Sequence, residues 1–413
     1  MAFLYPVARL IALFYRDTDF RERLGLYTPE VRKRLSIGWN IWLHAASAGE
    51  VNAITPFCNA FREAKPQARI ILTTTSRTGK KIAEERGVAD LVLLAPLDMT
   101  PVLKRAFGII RPVMLLVAET EFWPNFLMRA GRNGIPLLLI NGRISDKSFS
   151  SYQRMRSLFW PGLNCFGACL VQTPRDKEKL SALGVSEVRI QVAGQMKYDL
   201  RAPNAMVVGK FKNDLGLSDK DVLFTLGSLR EGEDDLLLPI VPQLLALSPE
   251  VKLLIAPRHM KNAEVFTQKL QKAGVSTVLR SRLKGTAPSE RVIVLDTLGE
   301  LSLAYALSRA AFVGGTLVPV GGHNVMEPAL VAVPVCVGPN TRNVSEAAEA
   351  LLASQGGLLV KDGAALVEVF KAFLDPNQAQ GAGRKAFEAV SSMRGATETT
   401  VERVLTAWPI TPA

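Results

Sequence analysis

Two pairs of adjacent glycines and three polar side chains occur within fourteen residues in the last third of the chain. The members of this segment are Gly314, Gly315, Gly321, Gly322, His323, Asn324 and Glu327. Glycine lets the backbone approach a ligand closely, and a helix start offers free N–H groups and a positive dipole end. A helix that begins at Glu327 makes the segment a candidate phosphate site, in which Asn324 and Glu327 can hydrogen-bond a ribose. Glycines also form ordinary turns, so the polar trio is what favours a functional interpretation.

A glutamate follows the first predicted strand after a run of small residues. The run is His-Ala-Ala-Ser-Ala-Gly at positions 44–49, and Glu50 comes next. Gly49 and its small neighbours allow a tight turn, which places Glu50 at the start of the next helix and at the carboxyl end of the strand. A carboxylate there can act as a general base. The alternative is a glutamate that only caps the helix, and this segment alone favours neither.

Two more carboxylates, Glu119 and Glu121, follow the apolar run Val113–Val117 directly, beside Trp123. Such a pair can stabilise positive charge that develops on a sugar ring. The alternative is a helix start with Pro124 at an early helical position. Burying two carboxylates at a strand end costs free energy, so we favour a functional role for them.

Four further candidate elements lie in the second half of the chain or just before it. Three follow predicted strands in one domain, on the side of the Gly-Gly segment: Gly227 and Ser228, Pro257 and Arg258, and Leu298, Gly299 and Glu300. Each alone reads as a turn, although Arg258 is suited to bidentate binding of a phosphate. Their convergence predicts a nucleotide or sugar-phosphate site. Lys197, just before the second domain, can contact an anionic donor or be a solvated surface residue.

Apolar runs that alternate with helix-like stretches position all these residues. The predicted strands are Ile41–Leu43, Arg69–Thr73, Asp90–Leu94, Val113–Val117, Leu137–Ile140 and Ala168–Val171, then Val222–Leu226, Val251–Ala256, Val292–Leu295, Ala311–Val313 and Val333–Val337. This pattern indicates parallel sheets covered by helices on both faces. Its restart near residue 204 predicts two doubly wound α/β domains facing a cleft, with ligands at the strands' carboxyl ends. The predicted divisions are a segment 1–20, domains 21–203 and 204–390, and a C-terminal helix 391–413 that can cross back to the first domain.

The chain has 413 residues, a formal charge of +12 and a pI near 9.6. With 48% hydrophobic and 21% charged residues it is globular. The excess of basic over acidic residues indicates an anionic partner. No zinc finger, RNA-recognition signature or Arg-rich tail is present, so a membrane or acidic lipid is favoured over nucleic acid. The four scattered cysteines are interpreted as reduced core residues of a protein on the cytosolic side.

The N-terminal residues 1–15 are apolar except for a few positions and are followed by a basic stretch. This run is shorter than the roughly 20 residues that a spanning helix needs. An apolar segment with a basic flank is typical of a helix that lies in the inner face of a membrane. The alternative is a first helix packed on the protein body.

The sequence contains neither of the common Gly-rich nucleotide loops, and its three histidines lack metal-ligand spacing. We therefore expect no metal and no cofactor. A sugar activated through one phosphate carries less charge than a diphosphate, so Arg258 and a helix dipole can suffice to bind it.

Six segments in order give the chain a specific resemblance: His-Ala-Ala-Ser-Ala-Gly-Glu (44–50), Glu-Thr-Glu-Phe-Trp-Pro-Asn (119–125), Gly-Gln-Met-Lys-Tyr-Asp (194–199), Pro-Arg-His (257–259), Asp-Thr-Leu-Gly-Glu-Leu (296–301) and the glycine-rich segment 312–329. Over roughly residues 15 to 390 the chain resembles the Kdo transferases. These enzymes move 3-deoxy-D-manno-octulosonic acid (Kdo) from CMP-Kdo to a lipid A precursor.

The resemblance implies a GT-B fold, an inverting mechanism without a metal, and a place on the cytoplasmic face of the inner membrane. It implies that Glu50 is the base and that Glu119, Glu121 and Lys197 support the transition state. It also implies CMP binding by Pro257, Arg258, Leu298, Gly299, Glu300, Asn324, Val325, Met326 and Glu327. Two alternatives remain: another GT-B enzyme that uses a UDP-sugar, such as an epimerase, and a non-catalytic nucleotide-sugar-binding protein.

Overall fold

Two seven-stranded sheets, parallel in every pair, form the framework of the chain. The computed structural model describes residues 18–283 and 288–408. The strands are β1 (Trp39–His44), β2 (Ala68–Thr74), β3 (Leu91–Leu94), β4 (Met114–Ala118), β5 (Leu137–Gly142), β6 (Ala168–Val171), β7 (Ile190–Val192), β8 (Val222–Leu229), β9 (Val251–Pro257), β10 (Thr277–Leu279), β11 (Val292–Val294), β12 (Ala310–Val313), β13 (Val335–Val337) and β14 (Gly357–Leu359). Their order is β3-β2-β1-β4-β5-β6-β7 in the first sheet and β10-β11-β9-β8-β12-β13-β14 in the second. The predicted fold class, two doubly wound α/β domains, is confirmed.

Helices connect the strands and cover both faces of each sheet. The α-helices are Thr18–Arg23, Pro29–Leu35, Ala48–Ala64, Arg77–Glu85, Thr100–Ile110, Pro124–Arg132, Asp146–Arg154, Arg156–Leu163, Pro174–Ala182, Ala205–Asp214, Glu233–Leu237, Val241–Ala246, Ala263–Lys272, Leu301–Leu307, Met326–Leu330, Ser345–Ala353, Gly363–Ala372, Pro376–Ser391 and Ala396–Thr406. Short 3-10 helices occur at Glu187–Arg189, Met196–Tyr198, Leu238–Ile240, Met260–Asn262 and Arg280–Arg282.

The central strands are buried on both faces, as the unbroken apolar runs predict. In β4, Leu115 and Val117 join the core cluster on one face, whereas Met114, Leu116 and Ala118 join the cluster on the other. The edge strands β7, β10 and β14 were missed. They have only three residues each and expose part of their length, so they lack the continuous apolar run by which the central strands are recognised.

The chain divides into two units, one formed by Met1–Asp199 with Arg394–Ala413 and the other by Leu200–Met393. These boundaries differ by a few residues from those expected at 203 and 390. The helix Ala396–Thr406 belongs to the first unit. Asp199 caps its start by accepting N–H bonds from Gly395 (2.7 Å) and Thr397 (2.6 Å).

Most of the predicted membrane-docking segment, residues 1–17, lies outside the described residues. The last part of that segment begins the helix Thr18–Arg23, in which Phe20 packs against buried Leu24 and Val102. Within the described ranges, every helix falls short of the length and apolar character that a membrane crossing requires.

Candidate active site

The three candidate carboxylates of the first unit come from loops after adjacent strands. β1 pairs with β4, and His44 at the end of β1 lies opposite Val117. The strand order reverses direction between these two strands, which is the point where doubly wound folds bind ligands. Glu50 follows β1, whereas Glu119 and Glu121 follow β4, so the topology brings all three to one edge of the sheet.

Glu50 both caps its helix and keeps the capacity to act as a base. It is half-buried in the first turn of Ala48–Ala64. Its two carboxylate oxygens accept bonds from the Ala46 N–H (2.8 Å) and the Ser47 hydroxyl (3.0 Å). Burial raises the pKa of Glu50, and those hydrogen bonds oppose the rise. An ionised carboxylate offers about four acceptor positions, so two bonds leave room for a substrate hydroxyl. The two roles weighed from the sequence are therefore compatible.

Among the three carboxyl groups, Glu119 is the one whose pKa is raised most. It has a positive φ of 54°, which side-chain-bearing residues rarely adopt. Its pKa is raised to about 7, chiefly by burial and then by the charge of Glu50, with a smaller rise from Glu121, while Arg143 and Lys197 oppose the rise. Burial and then the Glu50 charge also raise the pKa of Glu121. Three carboxyl groups that disfavour each other's ionisation mark this edge as a functional candidate.

Replacement of Glu119 by Gln should change how the stability of the protein depends on pH. As pH rises from 4.5 to about 7, an unfolded Glu119 loses its proton while the folded one keeps it. Wild type therefore loses stability relative to Glu119→Gln across that window, and the difference is constant above it. Urea unfolding of both proteins from pH 5 to 8 measures this. If the difference in the free energy of unfolding between the two proteins stayed constant from pH 5 to 8, the raised pKa of Glu119 would be contradicted. Asp146→Asn is the control: the pKa of this exposed carboxyl is lowered from 3.8 by Lys179, so the difference from wild type should be constant from pH 5 to 8.

His44 is a member of the site that sequence reasoning did not select. It is fully buried at the end of β1, and burial lowers its pKa to about 4, so it is neutral at pH 7. Its Nδ1 lies 3.0 Å from the Thr73 hydroxyl, and its Nε2 lies 4.0 Å from Glu121 Oε2. Nε2 has no hydrogen-bond partner among the described residues. The imidazole thus presents a neutral hydrogen-bonding nitrogen beside Glu121. The sequence shows His44 in the motif but not its burial.

A cavity of about 560 Å³ opens beside Glu121 in the first unit. Its walls combine aromatic and polar side chains: Arg23, Thr75, Asp98, Thr120, Glu121, Phe122, Trp123, Tyr152 and Phe159. This volume and mixed lining are typical of small-molecule sites. The cavity is therefore a candidate ligand pocket of this unit.

The Gly-Gly loop of the second unit closes on a carboxylate of its own domain. Buried Glu233 accepts N–H bonds from Gly315 (2.6 Å), Thr316 (3.0 Å), Leu317 (2.9 Å) and Arg230 (2.9 Å). A Cβ at Gly314 would lie 2.8 Å from the Glu233 carboxylate, so close packing explains this glycine. The Gly315 N–H is taken by Glu233, and the Gly314 N–H donates to the Gly227 carbonyl at 2.8 Å, so neither N–H group is free for a phosphate. Ligand binding by other parts of this segment stays a prediction.

The second glycine pair folds back onto the first. Gly321 and Gly322 have φ values of 106° and 86°, and both donate N–H bonds to the Gly315 carbonyl, at 3.1 and 2.7 Å. His323 follows, and its N–H donates to the Gly314 carbonyl at 3.2 Å. These glycines therefore set the left-handed turns of a compact loop.

The sequence predicted that Gly227 and Ser228 begin a loop after the strand. They lie instead within β8, which continues to Leu229. The pairing of β8 with β9 shifts register there, and Ser228 has a φ of 55°. A Cβ at Gly227 would lie 1.9 Å from the hydroxyl of buried Tyr305. Gly227 therefore makes room for Tyr305, a residue that sequence reasoning missed. Contact of either residue with a ligand stays a prediction.

Asn324 and Glu327 lie together at the start of the helix Met326–Leu330. Asn324 Nδ2 donates to Glu327 Oε1 at 3.1 Å, and Asn324 Oδ1 accepts the Met326 N–H at 3.0 Å. Burial raises the pKa of Glu327, whereas the Asn324 bond and the charge of Arg258 lower it. Val325 and Met326 are buried and shape the turn. The amide and carboxyl groups are positioned as a ribose-binding pair would be.

The remaining predicted residues lie at other strand ends or outside the second unit. Buried Pro257 ends β9, and exposed Arg258 follows it. Leu298 is 80% exposed, and Gly299 has a φ of 80°. Glu300 pairs with Arg280 at 2.9 Å, so its carboxylate already has a partner within the domain. The other two are in the first unit: Lys197 on a 3-10 helix and exposed Gly49 beside Glu50.

All four cysteines are free, and three of them are buried. Among residues 18–283 and 288–408, no three His, Cys, Asp or Glu side chains are grouped as metal ligands would be.

Comparison with known proteins identifies the family. The chain is 31% identical over 392 residues to the 3-deoxy-D-manno-octulosonic acid transferase of Haemophilus influenzae, which covers 90% of this chain and 91% of that protein. It is also 31% identical to the protein of the same name from Chlamydia pneumoniae, over 82% of this chain and 78% of that one. The family model for 3-deoxy-D-manno-octulosonic-acid transferase (kdotransferase) matches residues 18–200. The chain belongs to the Kdo transferase family.

Members of the Kdo transferase family are glycosyltransferases, and this chain is one. A solved structure, the UDP-GlcNAc 2-epimerase from Neisseria meningitidis bound to UDP-GlcNAc, aligns with a TM-score of 0.58. The alignment covers 89% of this chain and 100% of that one at 14% identity. At this identity the likeness establishes the fold alone, which is GT-B.

Proposed function

We propose that this Kdo transferase moves Kdo from CMP-Kdo to a lipid A precursor in lipopolysaccharide biosynthesis, with inversion and without a metal. The observation that carries the proposal is the group of Glu50, Glu119 and Glu121 at the reversal point of the first sheet, in a chain of this family. A non-catalytic binding protein would have no use for a half-buried carboxylate with a raised pKa beside two others.

In the proposed reaction Glu50 takes the proton of an acceptor sugar hydroxyl. The hydroxyl oxygen forms a bond to the anomeric carbon of Kdo, while the bond from that carbon to the phosphate oxygen of CMP breaks. CMP leaves with the bonding electrons, and one displacement inverts the anomeric centre. Burial favours this role, because a carboxylate with a raised pKa is a stronger base. We assign Glu119 and Glu121 to stabilising the positive charge that develops on the sugar ring, and the cation of Lys197 to the negative charge on the departing phosphate.

We assign donor binding to the second unit. Arg258, which follows β9, suits the phosphate, and the paired side chains of Asn324 and Glu327 suit the ribose. The cavity beside Glu121 is assigned to the acceptor.

We also propose that the enzyme works at the cytoplasmic face of the inner membrane. A charge of +12 favours attraction to anionic lipids and to an anionic glycolipid acceptor. The apolar residues 1–15 with their basic flank are typical of a segment that lies in a membrane surface.

Nucleotide competition separates this proposal from a GT-B enzyme that uses a UDP-sugar. CMP should inhibit transfer from CMP-Kdo competitively, and UDP at the same concentration should not. Inhibition by UDP but not by CMP would favour the UDP-sugar alternative. Transfer should also persist in the presence of excess EDTA, because the proposed chemistry needs no metal.

A further inference from the structure

A cationic group, of which the proposed function has used only Arg258, lies at the ends of β8 and β9. Leu229 and Pro257 are paired in register, and each is followed directly by an arginine, Arg230 or Arg258. The Arg258 N–H donates to the Leu229 carbonyl at 2.8 Å, which fixes the two turns together. The Arg230 guanidinium lies 3.1 Å from His259 Nε2.

The backbone of Arg230 is held rigidly. Its N–H donates to buried Glu233, the carboxylate that also binds the Gly-Gly loop. No acidic side chain in the described ranges lies within ion-pairing distance of Arg230 or Arg258. Burial lowers the pKa of His323 to about 4, and the positive charges of Arg258 and Arg230 act in the same direction. Two guanidinium groups without a carboxylate ion pair, on neighbouring turns joined by a hydrogen bond, form a site for two adjacent anionic groups.

We propose that Arg230 binds the carboxylate of the transferred sugar, while Arg258 binds the donor phosphate. This inference rests on the proposed function. In an activated octulosonic acid the carboxylate carbon and the phosphate oxygen are both bonded to the anomeric carbon. The donor therefore presents two anions side by side, as the paired turns require. Arg230 is thus a residue that selects an acidic sugar over a neutral one.

The test compares CMP, which has the phosphate only, with CMP-Kdo, which has both anions. Arg230→Gln should raise the KM for CMP-Kdo by about 10- to 100-fold, which is the change in affinity expected from the loss of one hydrogen bond between charged groups. It should leave the Kd for CMP within about twofold, which also shows that the variant is folded. Arg230→Lys should recover part of the loss, because the charge remains without the planar fork.

The control variant is Arg258→Gln, which should weaken CMP and CMP-Kdo together. An equal loss of CMP and CMP-Kdo binding in Arg230→Gln would overturn the proposal and make Arg230 a phosphate ligand. An unchanged KM for CMP-Kdo would overturn it too. Failure of the wild-type protein to bind CMP or to use CMP-Kdo is a separate result, which contradicts the proposed function itself.

Discussion

Glu50→Gln should lower kcat for Kdo transfer by about 10²- to 10⁴-fold, which is the range that general base catalysis contributes. The amide keeps the size of the carboxylate, and its oxygen can still accept the Ala46 N–H bond that caps the helix. It cannot take a proton from the acceptor. A steady-state assay at saturating CMP-Kdo and acceptor measures the loss in kcat.

The control for this variant is its affinity for CMP. The proposed nucleotide-binding residues all lie in the second unit, so the Kd for CMP should be unchanged in Glu50→Gln. The wild-type rate should also fall on the acid side at a higher pH than an ordinary glutamate would give, because burial raises the pKa of Glu50. Nearly full activity in a folded Glu50→Gln would remove Glu50 from the role of base.

Glu233→Gln should destabilise the second unit strongly and weaken CMP binding. The amide nitrogen replaces one carboxylate oxygen and turns its N–H groups toward two backbone N–H donors. Leaving two buried donors without an acceptor costs about 2–6 kcal/mol, at roughly 1–3 kcal/mol each. The loop that carries Asn324 and Glu327, and the turn at Arg230, lose their common attachment. Urea unfolding and CMP titration measure the two effects.

Glu231→Gln is the matched control, since Glu231 is an exposed carboxylate two residues away. It should change the free energy of unfolding by less than about 0.5 kcal/mol, as most surface substitutions do. If Glu233→Gln were as stable as Glu231→Gln, the four hydrogen bonds to Glu233 would not hold the loop in solution.

The architecture could be predicted because central parallel strands are apolar on both faces. The run Val113–Val117 predicted a strand that the structure places at Met114–Ala118. The same pattern identified the other central strands, and the end of each strand identified the edge where ligands bind. Short edge strands such as Ile190–Val192 contain polar residues and bury little, so the pattern carries no signal for them.

The candidate site could be predicted where it depends on position after a strand, as for Glu50, Glu119 and Arg258. It could not be predicted where it depends on contacts between distant segments. Glu233 lies more than eighty positions from the loop N–H groups it binds, so glycine-rich sequence alone suggested a phosphate there. The hydroxyl of Tyr305 over Gly227 is a contact of the same kind.

The most direct test of the central claim is transfer of Kdo from CMP-Kdo to a tetraacylated lipid A precursor by the wild-type protein, followed by mass spectrometry of the lipid. We expect a product heavier by one or more Kdo residues, formed with release of CMP and absent with Glu50→Gln. The product mass also counts the sugars added. An unchanged lipid, with a protein that is folded and binds CMP, would contradict the proposed transfer of Kdo to this acceptor.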